Sequence, residues 1–218
     1  MIDLSPEGKK AAGLLVIALA ALAAAGLVAA WSAVKALDSF REIERSHGLM
    51  YELEVTLTHA VSIQSGARGF ALTGDERYLE PYDAGLLGIQ HSIARLKALT
   101  ASDQGQSSRL LRLTSLVGEE VGLMQQRLAA RRSGGLAAAS TAVSDGRGKK
   151  VVEAIRGAVD LMRTAARREL DRNTAALQGA ALAGAGTLGV TLVVAATSVG
   201  LALRRLRRLA ARGTLPAR

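Results

Sequence analysis

Three histidines, His47, His59 and His91, are the only imidazoles in the chain. A helical metal pair needs two such ligands three or four residues apart with a third nearby, and that spacing does not occur. His47 falls close to the apolar phase of its helix, where a packing role is expected. Cysteine is absent, which removes thiolate chemistry and disulfides alike. Glu119 and Glu120 are neighbours, so on a helix they diverge by about 100° and do not share a proton. Gly184-Ala185-Gly186-Thr187-Leu188-Gly189 matches the dinucleotide-binding fingerprint letter for letter. It follows no strand and has no acid about 20 residues later, so small residues allowing close contact between membrane helices are the better reading. The expectation is a protein that is not an enzyme, with no catalytic residue, no metal and no cofactor.

Two clusters keep chemical interest. The first runs from Gln64 to Tyr82. Arg68 can reach Glu76 or Glu80 across a turn, Thr73 or Asp75 can cap the next helix, and Tyr78 and Tyr82 stand one turn apart. With Gly69, Gly74 and Pro81 they make either a well-specified helix corner or a site that senses a ligand. The second begins at Gly146-Arg147-Gly148-Lys149 and continues through Val152, Glu153, Ile155, Arg156, Val159, Met162 and Glu169. It supplies a turn, an inward stripe and outward charges, and is a candidate partner of the first corner.

The elements that hold these clusters are set by two uncharged runs. Ala11 to Val34 carries no charged side chain over 24 residues, and Asn173 to Leu203 none over 31. Roughly 20 residues of helix cross a hydrocarbon core, and lipid offers no partner to unpaired backbone, so both runs predict membrane-spanning helices. A cleaved signal peptide is the alternative for the first. Its Ala18-Leu19-Ala20 site lies inside the apolar run, however, and the run is longer than such a segment needs.

Charge sets the orientation. The tail after Leu203 holds six arginines and no acid, four of them at Arg204, Arg205, Arg207 and Arg208, whereas 20 basic and 17 acidic residues nearly balance between the runs. Positive flanks stay inside, so both termini read as cytoplasmic. The formal charge of +9 does not indicate nucleic acid: six of those units are in the tail, and aromatics make up only 3% of the chain. Attraction to the lipid bilayer accounts for them. The expected organisation is residues 1–10 cytoplasmic, 11–34 first span, 35–173 extracytoplasmic, 174–203 second span and 204–218 an arginine-rich tail.

Between the spans the apolar residues recur at three-and-four spacing. Phe40, Ile43, Met50, Leu53, Leu57, Ala60 and Gln64 continue the first span to about Leu72. Tyr78, Leu79, Tyr82, Leu86, Ile89, Ile93 and Leu96 mark a second helix. Leu110, Leu113, Val117, Val121, Met124 and Leu128 mark a third, ending at Ser133-Gly134-Gly135. After an Ala/Ser segment and a break at Asp145-Gly146-Arg147-Gly148, the stripe Val152, Ile155, Val159, Met162, Ala166 and Leu170 runs into the second span. The predicted fold is all-α: two transmembrane helices flanking an antiparallel four-helix bundle.

The strings Ser65-Gly66-Ala67-Arg68-Gly69-Phe70 and Leu72-Thr73-Gly74-Asp75-Glu76-Arg77-Tyr78-Leu79-Glu80-Pro81-Tyr82 resemble the core motif of the CHASE3 family of extracytoplasmic sensory domains. Gly148, Ile155, Arg156, Met162 and Glu169 resemble its second block. The likeness covers roughly residues 35–173. It implies a helical input module, a homodimer, coupled through its second span to a histidine kinase, chemoreceptor or nucleotide-cyclase output. It carries over no small-molecule ligand. Only 15 residues follow Leu203, so the output is expected on a separate partner. The rival expectation is a non-signalling scaffold built on the same bundle.

Overall fold

The computed structural model describes residues 6–144 and 146–213, with side chains at residue 10 and over 12–144 and 146–208. Asp145, and the ends of the expected N-terminal and arginine-rich segments (1–5 and 214–218), lie outside the described residues. The fold is all-α. Helix α1 spans Pro6–Thr73, a 3-10 turn covers Glu76–Tyr78, and α2 (Leu79–Thr100), α3 (Gln104–Ser144) and α4 (Arg147–Gly213) follow. Pro6 opens α1 and Pro81 is the third residue of α2. A first turn has no intrahelical use for the amide that proline lacks, so neither interrupts its helix.

The expectation of four helices between the spans is corrected in one respect. Two separate helices, α2 and α3, lie between the two long ones. The other two expected segments are continuous with the apolar runs as parts of α1 and α4. The break expected at Ser133-Gly134-Gly135 is present: Gly135 leaves helical geometry (φ 65°, ψ −155°) and divides α3 into two helical stretches, the second of them the Ala/Ser segment that ends at Ser144.

Residues 42–172 form one compact unit, and the flanking stretches to Arg41 and from Asn173 form another. The core of the first draws on all four helices: Leu53, Ile63 and Phe70 from α1, Ile89 and Leu96 from α2, Leu113 and Met124 from α3, Ile155 and Met162 from α4. Within this unit the buried positions of α1 include 46, 49, 53, 56, 60, 63, 67 and 70, a three-and-four alternation that Glu52, Gly66 and Ala71 widen by one residue. Helices that keep a 3.5-residue repeat pack at a shallow angle with interlocking side chains.

The flanking unit reverses this pattern. Both helices are long and apolar enough to cross a membrane. A helix of that composition in a soluble core would be covered, but here Leu27 is 74% and Leu182 76% exposed. The described buried positions in these stretches are small: Ala18, Ala195, Ser198 and Ala202. An outward apolar surface of this extent is stable against lipid and not against water. Ala29, Ala33, Ala181, Ala185 and Leu188 line an apolar groove of about 700 Å³ in this unit. At Gly184, Gly186 and Gly189 an added Cβ would meet nothing else of this chain within 4 Å.

Candidate functional site

The first cluster is a corner built from its own hydrogen bonds. Gly74 adopts φ +74°, a conformation that costs an L side chain energy, and its N–H donates to the Phe70 carbonyl at 2.7 Å to end α1. The Thr73 hydroxyl donates to the Gly69 carbonyl (2.8 Å) and accepts the Asp75 N–H (3.1 Å). Asp75 then caps the 3-10 turn through the Arg77 N–H (3.0 Å), and its carboxylate holds the Arg77 guanidinium at 2.6 Å. Those contacts, the Arg77 side chain first, hold the Asp75 carboxyl below the usual carboxylate range.

Close approach of α1 and α2 at this corner depends on glycine. A Cβ on Gly66 would lie 2.7 Å from the Tyr78 carbonyl oxygen and 2.8 Å from the Tyr82 nitrogen. A Cβ on Gly69 would strike the Tyr78 ring. Further along, Gly85 and Gly88 on α2 accommodate Ile63 and His59 of α1 in the same way. The tyrosines therefore separate rather than share a face: Tyr78 covers Gly69 and is exposed, whereas Tyr82 is buried in the core. Burial pushes the Tyr82 phenol up. From α3, Arg132 lies 5.5 Å from the Phe70 ring centroid, within cation–π range.

Arg68 is not where the turn suggested. Among the described residues it makes no ion pair with Glu76 or Glu80; it lines a polar cavity of about 370 Å³ with Arg127, Lys149 and Arg156. That cavity joins the two sequence clusters. Gln64 donates its side-chain amide to the Gly148 carbonyl at 3.3 Å, fastening α1 to the first turn of α4. Along α4, Ile155, Val159 and Met162 are buried, while Arg156 is exposed and Glu169 meets Arg172 at 3.4 Å.

Several polar side chains of the core carried no apolar signal. Glu52 is buried and meets Arg95 at 2.8 Å, and Gln106 donates to the Met162 carbonyl at 3.1 Å. Glu120 is 1% exposed with neither carboxylate oxygen hydrogen-bonded, and burial pushes it up to about 7. Gln106 and Glu120 share a signal of position, since with Leu113 and Arg127 they repeat every seven residues on one face of α3, whereas Glu52 lies on α1. His47 is exposed, against the packing role expected of it; the buried neighbour is Ser46. His59 packs on Gly88, and His91 Nδ1 lies 2.8 Å from the Leu87 carbonyl of its own helix. No group of three or more histidine, aspartate and glutamate side chains suits a metal among the described residues.

Comparison with family models matches the CHASE3 domain over residues 39–176, more than half of the chain. The chain belongs to the CHASE3 family. No curated protein and no solved structure matches it. The CHASE3 match covers both clusters and ends within a few residues of the flanking apolar stretches. A CHASE3 domain between two membrane-spanning helices is the architecture of a membrane sensory input module, and the CHASE3 domain itself is sensory rather than catalytic. The protein is a multi-pass protein of the inner membrane with this domain on the extracytoplasmic side.

Proposed function

We propose that this CHASE3 domain receives its stimulus at the Arg68–Tyr82 corner and hands it to the second span along α4. The observation that carries the reading is α4 itself, one helix from Arg147 to Gly213. Its first turn holds Gln64, its Ile155, Val159 and Met162 are packed in the core, and it continues into the uncharged run. No proline falls within it to absorb a displacement. A shift of about 1–2 Å or a small rotation at Ile155 therefore reaches the inner end of the span.

In this reading residues 42–73 of α1, α2, α3 and residues 147–172 of α4 are an antiparallel four-helix bundle. It works as a homodimer on a histidine kinase, chemoreceptor or nucleotide-cyclase type of output. Arg204, Arg205, Arg207 and Arg208 hold the orientation and present the moving end to that output.

The test is a chimaera in which residues 1–208 drive a histidine-kinase reporter, with one to four alanines inserted after Asn173. Transmission along a rigid helix gives kinase activity that rises and falls with the 3.6-residue turn. A flat response to all four insertions would mean a static scaffold instead.

A further inference from the structure

We propose that the cavity between α1, α3 and the start of α4 binds a small polyanion through its carboxylate or phosphate oxygens. Four cations line it, Arg68, Arg127, Lys149 and Arg156, against one acid, Glu153. Asp145, which precedes Gly146 in sequence, leaves the cations in the majority. They come from three helices, so the cavity exists only in the folded domain and is not the solvated face of one helix.

The four cations differ in placement. Arg127 is buried, its Nε donating to the Ala142 carbonyl at 3.3 Å and its Nη1 set 3.5 Å from the Met124 sulfur. A Cβ on Gly148 would come within 2.6 Å of its Nη2, so glycine there leaves the guanidinium its room. Arg68 and Arg156 are exposed, with their stems on facing helices. Lys149 has only a loose contact with Glu153, at 3.9 Å between two exposed side chains, which does not hold it back from a stronger partner.

Like charges gathered around one concavity repel, and the repulsion is relieved by an anion that enters. Guanidinium forks bind carboxylate and phosphate oxygens in paired hydrogen bonds, so two exposed arginines above a fixed one suit a ligand with two or more charged groups. The volume exceeds what a single inorganic ion needs and falls within the usual range for small-molecule sites.

Calorimetric titration of the full chain in detergent micelles tests this, with citrate and inorganic phosphate as probes and sodium chloride at matched ionic strength. Saturable binding of citrate, phosphate or both is expected, and the tighter probe names the preferred group. Arg68→Gln, Lys149→Gln and Arg156→Gln should each weaken it about tenfold or more, the loss of a charge-assisted hydrogen bond. Glu153→Gln should tighten it, which a folding defect does not imitate, and Arg167→Gln, outside the cavity, should leave it unchanged. Heats no larger than those of sodium chloride, or equal binding in all the variants, would overturn the proposal. Occupancy is read directly here, so this result and that of the alanine-insertion chimaera fail independently.

Discussion

The amide of Gln64 on α1 donates to the carbonyl of Gly148 on α4 at 3.3 Å, across 84 positions of sequence. It is a single neutral hydrogen bond accepted by a backbone carbonyl, but it restrains the first turn of α4, whose amides have no intrahelical acceptor and which is therefore prone to fray. Gln64→Leu is expected to cost about 1 kcal/mol and to act locally. Hydrogen exchange should accelerate over residues 147–152 while the α2–α3 pair keeps its protection. Uniform acceleration across the domain would show that the bond has no local role.

Glycines in this domain divide into two kinds with opposite expected behaviour. At Gly66 the atoms in the way are backbone, Tyr78 O and Tyr82 N, which cannot rotate aside. Gly66→Ala therefore separates α1 from α2, at a cost of about 2 kcal/mol or more. At Gly118 on α3 and Gly157 on α4 an added Cβ meets nothing within 4 Å. Alanine there removes backbone freedom from the unfolded chain and should stabilise by about 0.5–1 kcal/mol. Urea unfolding of the three variants in one detergent checks the sign of each. A stabilised Gly66→Ala would contradict the close approach.

Much of this architecture was legible in the sequence, and the misreadings share one cause. On α4 the expected stripe Val152, Ile155, Val159, Met162, Ala166 and Leu170 is buried except for its last member, Leu170, which is half-buried; all of its members are apolar. On α1 only Leu53 and Ala60 of the expected stripe are fully buried, and Phe40 is exposed. The inward face there includes Ser46, Glu52 and Thr56, so hydrophobicity gave the period but a phase one residue away. Thr56 tolerates burial by donating to the Glu52 carbonyl at 2.7 Å, and Glu52 by pairing with Arg95 on α2. Such compensation lies in partners distant in sequence. The same holds for the cavity: the two clusters were visible as strings, but Arg127 joins them from a helix that resembled neither.

Asp75 makes the corner sensitive to acid. Its carboxyl titrates lower in the fold than in the unfolded chain, chiefly because of the Arg77 side chain and then the Arg77 N–H. A depressed acid contributes fully above its unfolded value and loses that contribution as pH falls through the folded one. At neutral pH Asp75→Ala should speed amide exchange at Arg77 and Tyr78, and Asp75→Asn should do so less, since it keeps an acceptor. Wild type and Asp75→Ala should converge once the pH has fallen below the depressed folded value. A difference that persists undiminished in acid would assign the effect to shape rather than charge.

Glu120 acts with the opposite sign. Burial raises it from an ordinary 4.5 to about 7, with Arg127 lowering it and Glu119 raising it by smaller amounts. The folded domain therefore holds a proton that the unfolded chain has released once the pH passes 4.5. Stability falls as pH rises through that window and levels off above about 7. At full ionisation the loss is on the order of 3 kcal/mol, because the charge must either stay buried without a partner or open the core. Glu120→Leu should remove most of this slope and stabilise the domain most at pH 8. Glu120→Gln should flatten the slope too, but with less gain, since its amide still needs partners that the carboxylate oxygens lack. Urea midpoints at pH 5, 6.5 and 8 decide the matter. Parallel wild-type and Glu120→Leu curves across that range would mean that the carboxyl does not titrate between them, and the pH dependence would then have to come from another group.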